Sequence, residues 1–179
     1  MNPDSESKLV AAAQKGHLDS FGVLYEHYHS SMVALAYSAL ADREMAEDAA
    51  QEVFAIACRD IGNLKSKDKF GAWLAGICRN VSRQMIRANK VKPPAPNDDQ
   101  IYENNDKMQE HRQIIHRALW SLRTVERELI VMRYFDGFSQ AHISQVLGIS
   151  PQVVNGRLVR AKRKIAKYLK RNTFEGEWL

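Results

Sequence analysis

Apolar residues recur at intervals of three and four along most of the chain, which is the spacing of one face of an α-helix. One such segment begins near Asp19 and runs through Leu24 and Leu35. A second begins near Asp42, whose carboxylate can cap it, and a third begins near Phe70. Because no segment shows the strict alternation typical of a strand, the pattern predicts an all-α protein.

The helical periodicity stops between residues 89 and 106, in the stretch NKVKPPAPNDDQIYENND. Three prolines in four positions cannot continue a helix, and the polar, acidic residues after them have little apolar surface to bury. We therefore predict two helical domains, residues 1–88 and 107–173, joined by a flexible linker at 89–106 and followed by a tail at 174–179. The periodic segments expected in the second domain are 108–122, 125–135, 140–147 and 151–169.

The last two of these segments predict a helix-turn-helix. Ser139 can cap the first helix, Gly148 stands where a sharp turn needs a positive φ, and Ser150 followed by Pro151 is a typical helix start. From Pro151 to Arg171 there are eight lysines and arginines and no acid. The side away from the buried positions, with its flanks, carries residues able to read bases or hold phosphates: Gln152, Asn155, Gly156, Arg157, Arg160 and Arg163. A solvated basic face on an ordinary helical hairpin is the alternative.

Charge is distributed unevenly over the chain. The formal net charge is +5 over 179 residues, but it is −1 over residues 1–88 and +10 over residues 107–173. This asymmetry suggests two modules with different partners, one of them a polyanion. Cys58 and Cys78 are expected to be reduced core thiols of a cytoplasmic protein, with one disulfide between them as the alternative, and no cofactor or metal site is expected. The polar first ten residues do not resemble a signal peptide, and no apolar run approaches the ~20 residues that span a membrane.

The helix beginning near Asp42 carries an acidic stripe, which we define as Glu47, Asp48, Gln51 and Glu52, with Phe54 at its border. Carboxylates and an amide would suit a basic partner, and an aromatic ring could anchor it. Because carboxylates repel phosphates, this surface is predicted to bind protein and not DNA. A solvated face with one apolar exception is the alternative.

The next helix and the loop before it show the opposite character. Cations interleaved with polar groups suit nucleic acid, and a loop of this kind can enclose an unstacked base. The candidate residues are Lys65, Ser66, Lys67, Lys69, Asn80, Arg83, Gln84 and Arg87.

Three motifs in this order resemble one family. AEDAAQEVF, FGAWLAGICRN and VERELIVMRYFDGFSQAHISQVLGIS…GRLVRAKRKI are similar to the extracytoplasmic-function (ECF) class of bacterial RNA polymerase sigma factors, over roughly residues 5–170. The resemblance implies a region 2 domain, a linker and a region 4 helix-turn-helix. It also implies that the chain is not an enzyme, that it binds core RNA polymerase and promoter DNA, and that an anti-sigma protein occludes both domains.

The resemblance assigns roles to the candidate residues. The acidic stripe with Phe54 matches the part of region 2 that grips the β′ coiled coil of the polymerase, and region 4 is expected to meet the β flap. The set Lys65 to Arg87 matches the surface that melts the minus-ten element, and the set Gln152 to Arg163 matches the minus-thirty-five reading helix. Val153, Asn155 and Gly156 depart from the Thr, basic residue and Ser frequent in the family. The alternative is a stand-alone helix-turn-helix regulator, which would leave the acidic stripe without a purpose.

Overall fold

The computed structural model describes Met1 and residues 3–88 and 106–172. Within these residues the chain is helical and contains no strand, which confirms the predicted all-α class. The eight α-helices are α1 Pro3–Ala13, α2 Leu18–Leu40, α3 Arg43–Asp60, α4 Phe70–Ala88, α5 Asp106–Trp120, α6 Thr124–Ile130, α7 Gln140–Leu147 and α8 Pro151–Asn172. The predicted linker lies outside the described residues except for Asp106, which begins α5, and the predicted tail lies wholly outside them.

Helices α1–α4 form the N-terminal half, in which α2, α3 and α4 pack around a shared core. Asp42 caps α3 as predicted, since its carboxylate accepts a hydrogen bond of 2.8 Å from the backbone N–H of Met45. Small alanines on the inner side of α3 allow its backbone to approach α2 closely. The principal buried side chains are Leu24, Tyr28, Met32, Val53, Phe70 and Leu74.

Helix α1 is absent from the sequence prediction, because its inner face is not purely apolar. Glu6 is fully buried beside Val10, and its carboxylate accepts a hydrogen bond of 2.6 Å from the Tyr28 hydroxyl. Burial raises the pKa of Glu6, and the Tyr28 bond partly offsets this. At the other end of α1, the Gln14 amide donates to the carbonyls of Ile61 and Leu64, which anchors the chain entering the lysine loop.

Helices α5–α8 form the C-terminal half. Helix α6 continues into a π-helical turn, Val131–Phe135. The helix-turn-helix is formed as predicted: Ser139 caps α7 by accepting from the His142 N–H, and Gly148 adopts a φ of 64°. The inward positions of α7 and α8 close the core of this half: Ile143, Val146, Val154, Leu158 and Ala161.

The two halves are docked on each other through polar contacts between buried or half-buried groups. Arg127 on α6 donates from its guanidinium to the Ser38 carbonyl, in the last turn of α2, where carbonyls lack helical partners. The next residue, Glu128, accepts two hydrogen bonds of 3.0 and 3.1 Å from Arg79 on α4. Adjacent residues of one short helix thus hold two helices of the N-terminal half.

A histidine pair lies at the same seam. The His142 ring on α7 is 5.2 Å from the His27 ring on α2, and the Nε2 of His142 is 2.8 Å from the Ser31 hydroxyl oxygen. Burial lowers the pKa of both imidazoles. The nearby His27 ring and the charged Met1 amine lower the pKa of His142 further. Two further titratable groups are the Tyr28 phenol, whose ring stacks on His142, and the Glu6 carboxyl, which accepts a hydrogen bond from the Tyr28 hydroxyl.

We expect the free energy of unfolding to fall as the pH drops below about 6.5, the usual histidine pKa. A depressed pKa means that the folded state binds protons less readily than the unfolded state, so this stability is present above pH 6.5 and is lost on acidification. His142→Gln should show a smaller loss between pH 7.5 and pH 5.5 in urea unfolding.

His17→Gln serves as the matched control, because His17 is exposed and lies away from the seam. Glu6, whose raised pKa acts in the opposite sense, is common to all three proteins and cancels in the comparison. An identical acid-induced loss in His142→Gln and in the unaltered chain would show that His142 does not contribute.

Candidate polymerase and nucleic-acid interfaces

The acidic stripe lies on the surface of α3. Asp48, Gln51 and Glu52 are exposed, and neither of the two carboxylates makes an ion pair within the described ranges. Glu47 is half-buried, and it lies 3.5 Å from Arg43 and 3.8 Å from the His29 ring nitrogen. The stripe therefore presents three groups freely and one that is partly neutralised.

Phe54 does not lie on this surface, which corrects its predicted role as an exposed anchor. It is only 4% exposed and is packed under the rings of Phe21, Tyr25 and His29 from α2. The helical position of Phe54 borders the stripe, but α2 covers it. Tyr25, which is 38% exposed and packs edge-on against the Phe54 ring, is the aromatic residue that reaches the surface nearby.

The cysteines differ from each other, contrary to the prediction that both are core thiols. Cys58 is exposed on the outer side of α3, whereas Cys78 is buried and donates to the Met32 carbonyl. Burial raises the pKa of the Cys78 thiol to about 12, so it stays protonated at neutral pH.

The acidic stripe on α3 forms one wall of a cleft, and α4 forms the other wall. The cleft between the two helices is lined on the α3 side by Asp48, Gln51, Glu52 and Ala55, and on the α4 side by Val81, Gln84, Met85 and Ala88. Gln84, a predicted DNA-binding residue, therefore lines the same cleft as three of the predicted polymerase-binding residues. The remaining predicted residues of α4 lie on its outer side.

The lysine loop precedes α4 and is exposed throughout. Lys65, Ser66, Lys67 and Lys69 all face solvent, and residues 67–69 form a short 3-10 turn. The loop therefore presents three cations at the N-terminal end of α4.

Arginines follow one another along α4 at intervals of four. Arg83 and Arg87 are exposed, and the Arg83 guanidinium bonds both the Asn80 side chain and the Arg79 carbonyl. Arg79 belongs to the same row on the polar side of α4, and it is the member that Glu128 holds.

The second helix of the helix-turn-helix, α8, exposes most of its predicted reading residues. Gln152, Asn155, Arg160 and Arg163 are exposed, while Gly156 and Arg157 are half-buried. Lys164 is engaged internally, because its ammonium lies 2.6 Å from the Glu126 carboxylate and ties α8 to α6.

An apolar groove on the C-terminal half was not predicted. Tyr134 and Phe135, in the π-helical turn, are 54% and 56% exposed, and Ile115 on α5 is similarly open. They face the last turns of α8 across a groove whose other lining residues are Leu119, Ile130, Lys162, Ile165, Ala166 and Leu169. Exposed aromatic residues grouped in this way are typical of a protein-binding surface.

Two family models match the chain in succession: Sigma-70 region 2 over residues 24–91, and Sigma-70, region 4 over residues 112–165. ECF RNA polymerase sigma factor SigM of Mycobacterium tuberculosis is 29% identical, over 92% of this chain and 85% of that protein. ECF RNA polymerase sigma factor BldN of Streptomyces coelicolor is 26% identical, over 93% of this chain and 68% of that protein. The chain belongs to the ECF sigma factors.

A solved structure of a sigma factor has a similar fold. The structure of CnrH in complex with the cytosolic domain of CnrY superimposes with a TM-score of 0.63 at 25% identity, and the match covers 94% of this chain and 99% of that one. The family found by sequence comparison and the helical fold of the chain therefore agree.

The sigma factor is a transcription initiation subunit and not an enzyme: it binds core RNA polymerase and directs initiation at promoter DNA. Within the described ranges, no helix is both long and apolar enough to cross a membrane. The same residues contain no group of three or more histidine, cysteine, aspartate or glutamate side chains placed to hold a metal ion.

Proposed function

We propose that residues 1–88 bind core polymerase and the minus-ten element, and that residues 107–173 read the minus-thirty-five element, with 89–106 as the linker and 174–179 as a tail. The single observation that carries this division is the acidic stripe on α3. Asp48, Gln51 and Glu52 form an exposed, unpaired anionic surface on a chain whose net charge is positive. Such a surface favours a basic protein partner, and the β′ coiled coil of the polymerase is the partner we assign to it.

The minus-ten surface combines the lysine loop with the outer side of α4. Lys65, Ser66, Lys67 and Lys69 supply cations and a hydroxyl ahead of the helix, and Asn80, Arg83, Gln84 and Arg87 follow along it. Alternating cations and amides can hold a phosphate backbone while bonding an unpaired base. Gln84 borders the polymerase stripe, so DNA at this site would pass beside the polymerase contact.

The minus-thirty-five surface is the exposed side of α8. Gln152, Asn155, Arg160 and Arg163 can reach base edges or phosphates in the major groove, with Arg157 at the flank and Gly156 beside the Arg160 guanidinium. The apolar groove at Tyr134 and Phe135 lies on the same half, and we assign it to an apolar segment of the β flap.

We further propose that an anti-sigma protein controls this sigma factor in the cytoplasm, where polymerase and promoter DNA reside. The relative CnrH was solved in complex with the cytosolic domain of CnrY, and it shares the fold over almost the whole length of both chains. The acidic stripe and the apolar groove are the surfaces that such a partner would have to cover.

Reconstitution with core RNA polymerase tests the proposal. The chain should co-elute with core polymerase in gel filtration, and the complex should select promoter sequences from a random DNA library and give run-off transcripts from them. A stand-alone regulator would instead form a dimer, bind duplex DNA alone and leave core polymerase inactive. That outcome would overturn the proposed function.

Arg160→Ala should weaken binding of the holoenzyme to its selected promoter by about 1–3 kcal/mol, if the guanidinium makes a bidentate base contact. The loss should concentrate on the minus-thirty-five half of the footprint, where base preference should relax. Arg171→Ala, at the exposed far end of α8, is the matched control and should leave the footprint unaltered. Equal behaviour of the two variants contradicts the role of Arg160.

A further inference from the structure

The lysine loop, residues 65–69, is a run of exposed residues between two buried ones. Leu64 before it is 8% exposed, and Phe70 after it is fully buried. Within the loop, the Lys69 N–H donates to the Ser66 carbonyl at 3.1 Å, which closes a short 3-10 turn. Because the loop buries so little surface of its own, its shape depends on how its two ends are held.

Helix α1 holds the entry to the loop through Gln14, the residue that follows its last turn. The Gln14 N–H donates to the carbonyl of the fully buried Val10 at 2.9 Å, so the core sets the position of Gln14. The side-chain nitrogen of Gln14 donates to the carbonyl of Ile61 at 2.9 Å and to that of Leu64 at 2.8 Å. Both hydrogens of one amide are therefore used on the turn that leads into the loop.

The same helix holds the exit from the loop through Glu6. The Glu6 carboxylate accepts a hydrogen bond of 2.6 Å from the Tyr28 hydroxyl, and the Tyr28 ring lies so close to Gly71 that an added Cβ would be 2.9 Å from a ring carbon. Burial raises the pKa of Glu6, whereas its hydrogen bonds, among them those from the N–H groups of Gly71 and Phe70, lower it. The first residues of α4 are thus held beside α1 where the loop ends.

One rigid element therefore fixes both ends of the loop. Gln14 and Glu6 are eight positions apart on α1 and its last turn, which is about 12 Å at 1.5 Å per residue. The 3-10 turn Lys67–Lys69 packs on the same helix. Because an α-helix does not stretch, the backbone that carries the three lysines is held in one conformation before any ligand arrives.

We propose that Gln14 is a positioning residue for the minus-ten surface: its two hydrogen bonds hold the lysine loop in the conformation that receives the unpaired DNA strand, while Glu6 holds the other end. Gln14 acts through the loop and need not touch DNA. The inference rests on the proposed function of the loop, whereas the two hydrogen bonds do not. A loop that is already ordered loses less conformational entropy on binding, so ordering raises its affinity for the strand.

Gln14→Met in the full chain is the test, because methionine keeps the length and neutrality of the side chain and removes both donors. The N–H groups of Leu64 and Lys69 close the two turns of this segment and report on its order. In hydrogen–deuterium exchange both should exchange about tenfold faster, which corresponds to about 1.4 kcal/mol of local stability. Amides of α2 and α3 should exchange as they do in the unaltered chain.

The same variant should bind core polymerase normally and capture the strand poorly. The probe is a single-stranded oligonucleotide with the minus-ten segment of a promoter that the unaltered holoenzyme selects. Affinity of the holoenzyme for it should fall about tenfold. Permanganate should oxidise fewer unpaired thymines at minus ten in the duplex promoter, while the minus-thirty-five half of the footprint stays unaltered. A general loss of structure would weaken all of these together, so the split assigns the effect to the loop.

Two further variants separate the donors from the charge. Gln14→Glu should resemble Gln14→Met, because a carboxylate cannot donate to the two carbonyls. Lys15→Gln makes the same change of net charge at the next residue, which is exposed, and as the matched control it should keep slow exchange and strand binding. Gln14→Arg supplies several N–H donors again and should restore slow exchange of the loop.

Each outcome supports or overturns one claim. Faster exchange with unaltered strand affinity overturns the positioning role, and unaltered exchange overturns the hold of Gln14 on the loop. Should Gln14→Met lose helicity, Gln14→Glu must still show the split between strand and polymerase binding. Transcription by the unaltered chain with no effect of Gln14→Met rejects this inference alone. A chain that gives no transcripts rejects the proposed function, even where Gln14→Met speeds exchange.

Discussion

Replacing Asp48 and Glu52 together by lysine should lower the affinity of the sigma factor for core RNA polymerase by about 100-fold or more. Both side chains are exposed on α3, and neither forms an ion pair within the described ranges. The substitutions place like charges against a cationic partner, which costs several kcal/mol, and each 1.4 kcal/mol changes affinity tenfold. Biolayer interferometry with immobilised core polymerase measures the loss.

The fold should tolerate this change, because both positions face solvent. Circular dichroism and the unfolding midpoint should stay close to those of the unaltered chain. Asp19→Lys with Glu26→Lys makes the same change of net charge at exposed positions of α2, outside the stripe. If this control loses as much affinity as the stripe variant, the effect is one of overall charge; if the stripe variant binds normally, α3 does not dock on the polymerase.

Local sequence signals predicted the ends of helices correctly where a residue has one clear structural role, such as a helix cap or a left-handed turn. Asp42 and Ser139 cap helices, and Gly148 adopts a positive φ, because caps and left-handed turns depend on a few neighbouring atoms. The start of α2 was predicted near Asp19, but the helix begins at Leu18, so that Asp19 lies in its first turn, and the N-cap residue His17 makes no side-chain cap bond. Boundaries without a cap bond leave little trace in sequence.

Burial of polar and aromatic side chains was harder to foresee, because it depends on which helix lies across from them. Periodicity put Phe54 at the border of an exposed face, but three rings of α2 cover it. The polar N-terminal sequence suggests that Glu6 is a surface residue. Glu6 is nevertheless buried, and the hydrogen bond that it accepts from Tyr28 joins α1 to α2. In both cases a tertiary contact overrides the local pattern.

The docking of the two halves could not be predicted from spacing at all. Arg79, Arg127 and Glu128 are charged residues that helical patterns assign to solvated faces, and their pairing partners are 49 or 89 positions away in sequence. By contrast, the exposed cations of the lysine loop and of α8 were identified correctly as surface residues, because nothing within the chain competes for most of them. Sequence therefore located surfaces available to partners and missed the contacts that join the two halves.

The two glycines of α4 should respond in opposite ways to the same substitution. A Cβ at Gly71 would lie 2.9 Å from a ring carbon of Tyr28 and 3.0 Å from its hydroxyl oxygen, whereas a Cβ at Gly76 would meet nothing within 4 Å. The Tyr28 ring cannot easily move aside, because its hydroxyl bonds Glu6 and its faces pack on Phe70 and His142.

Gly71→Ala should therefore cost about 3 kcal/mol, the upper end for overpacking a core. In a chain of this size such a loss lowers Tm by roughly 6–12 °C. Gly76→Ala, the matched control, should gain about 0.5–1 kcal/mol, because alanine loses less backbone entropy in a helix than glycine does. Thermal and urea unfolding of the two variants measures the difference, which should be close to 4 kcal/mol. If Gly71→Ala were as stable as Gly76→Ala, the close contact between α4 and the Tyr28 ring would be wrong, and with it the packing of α4 against α2.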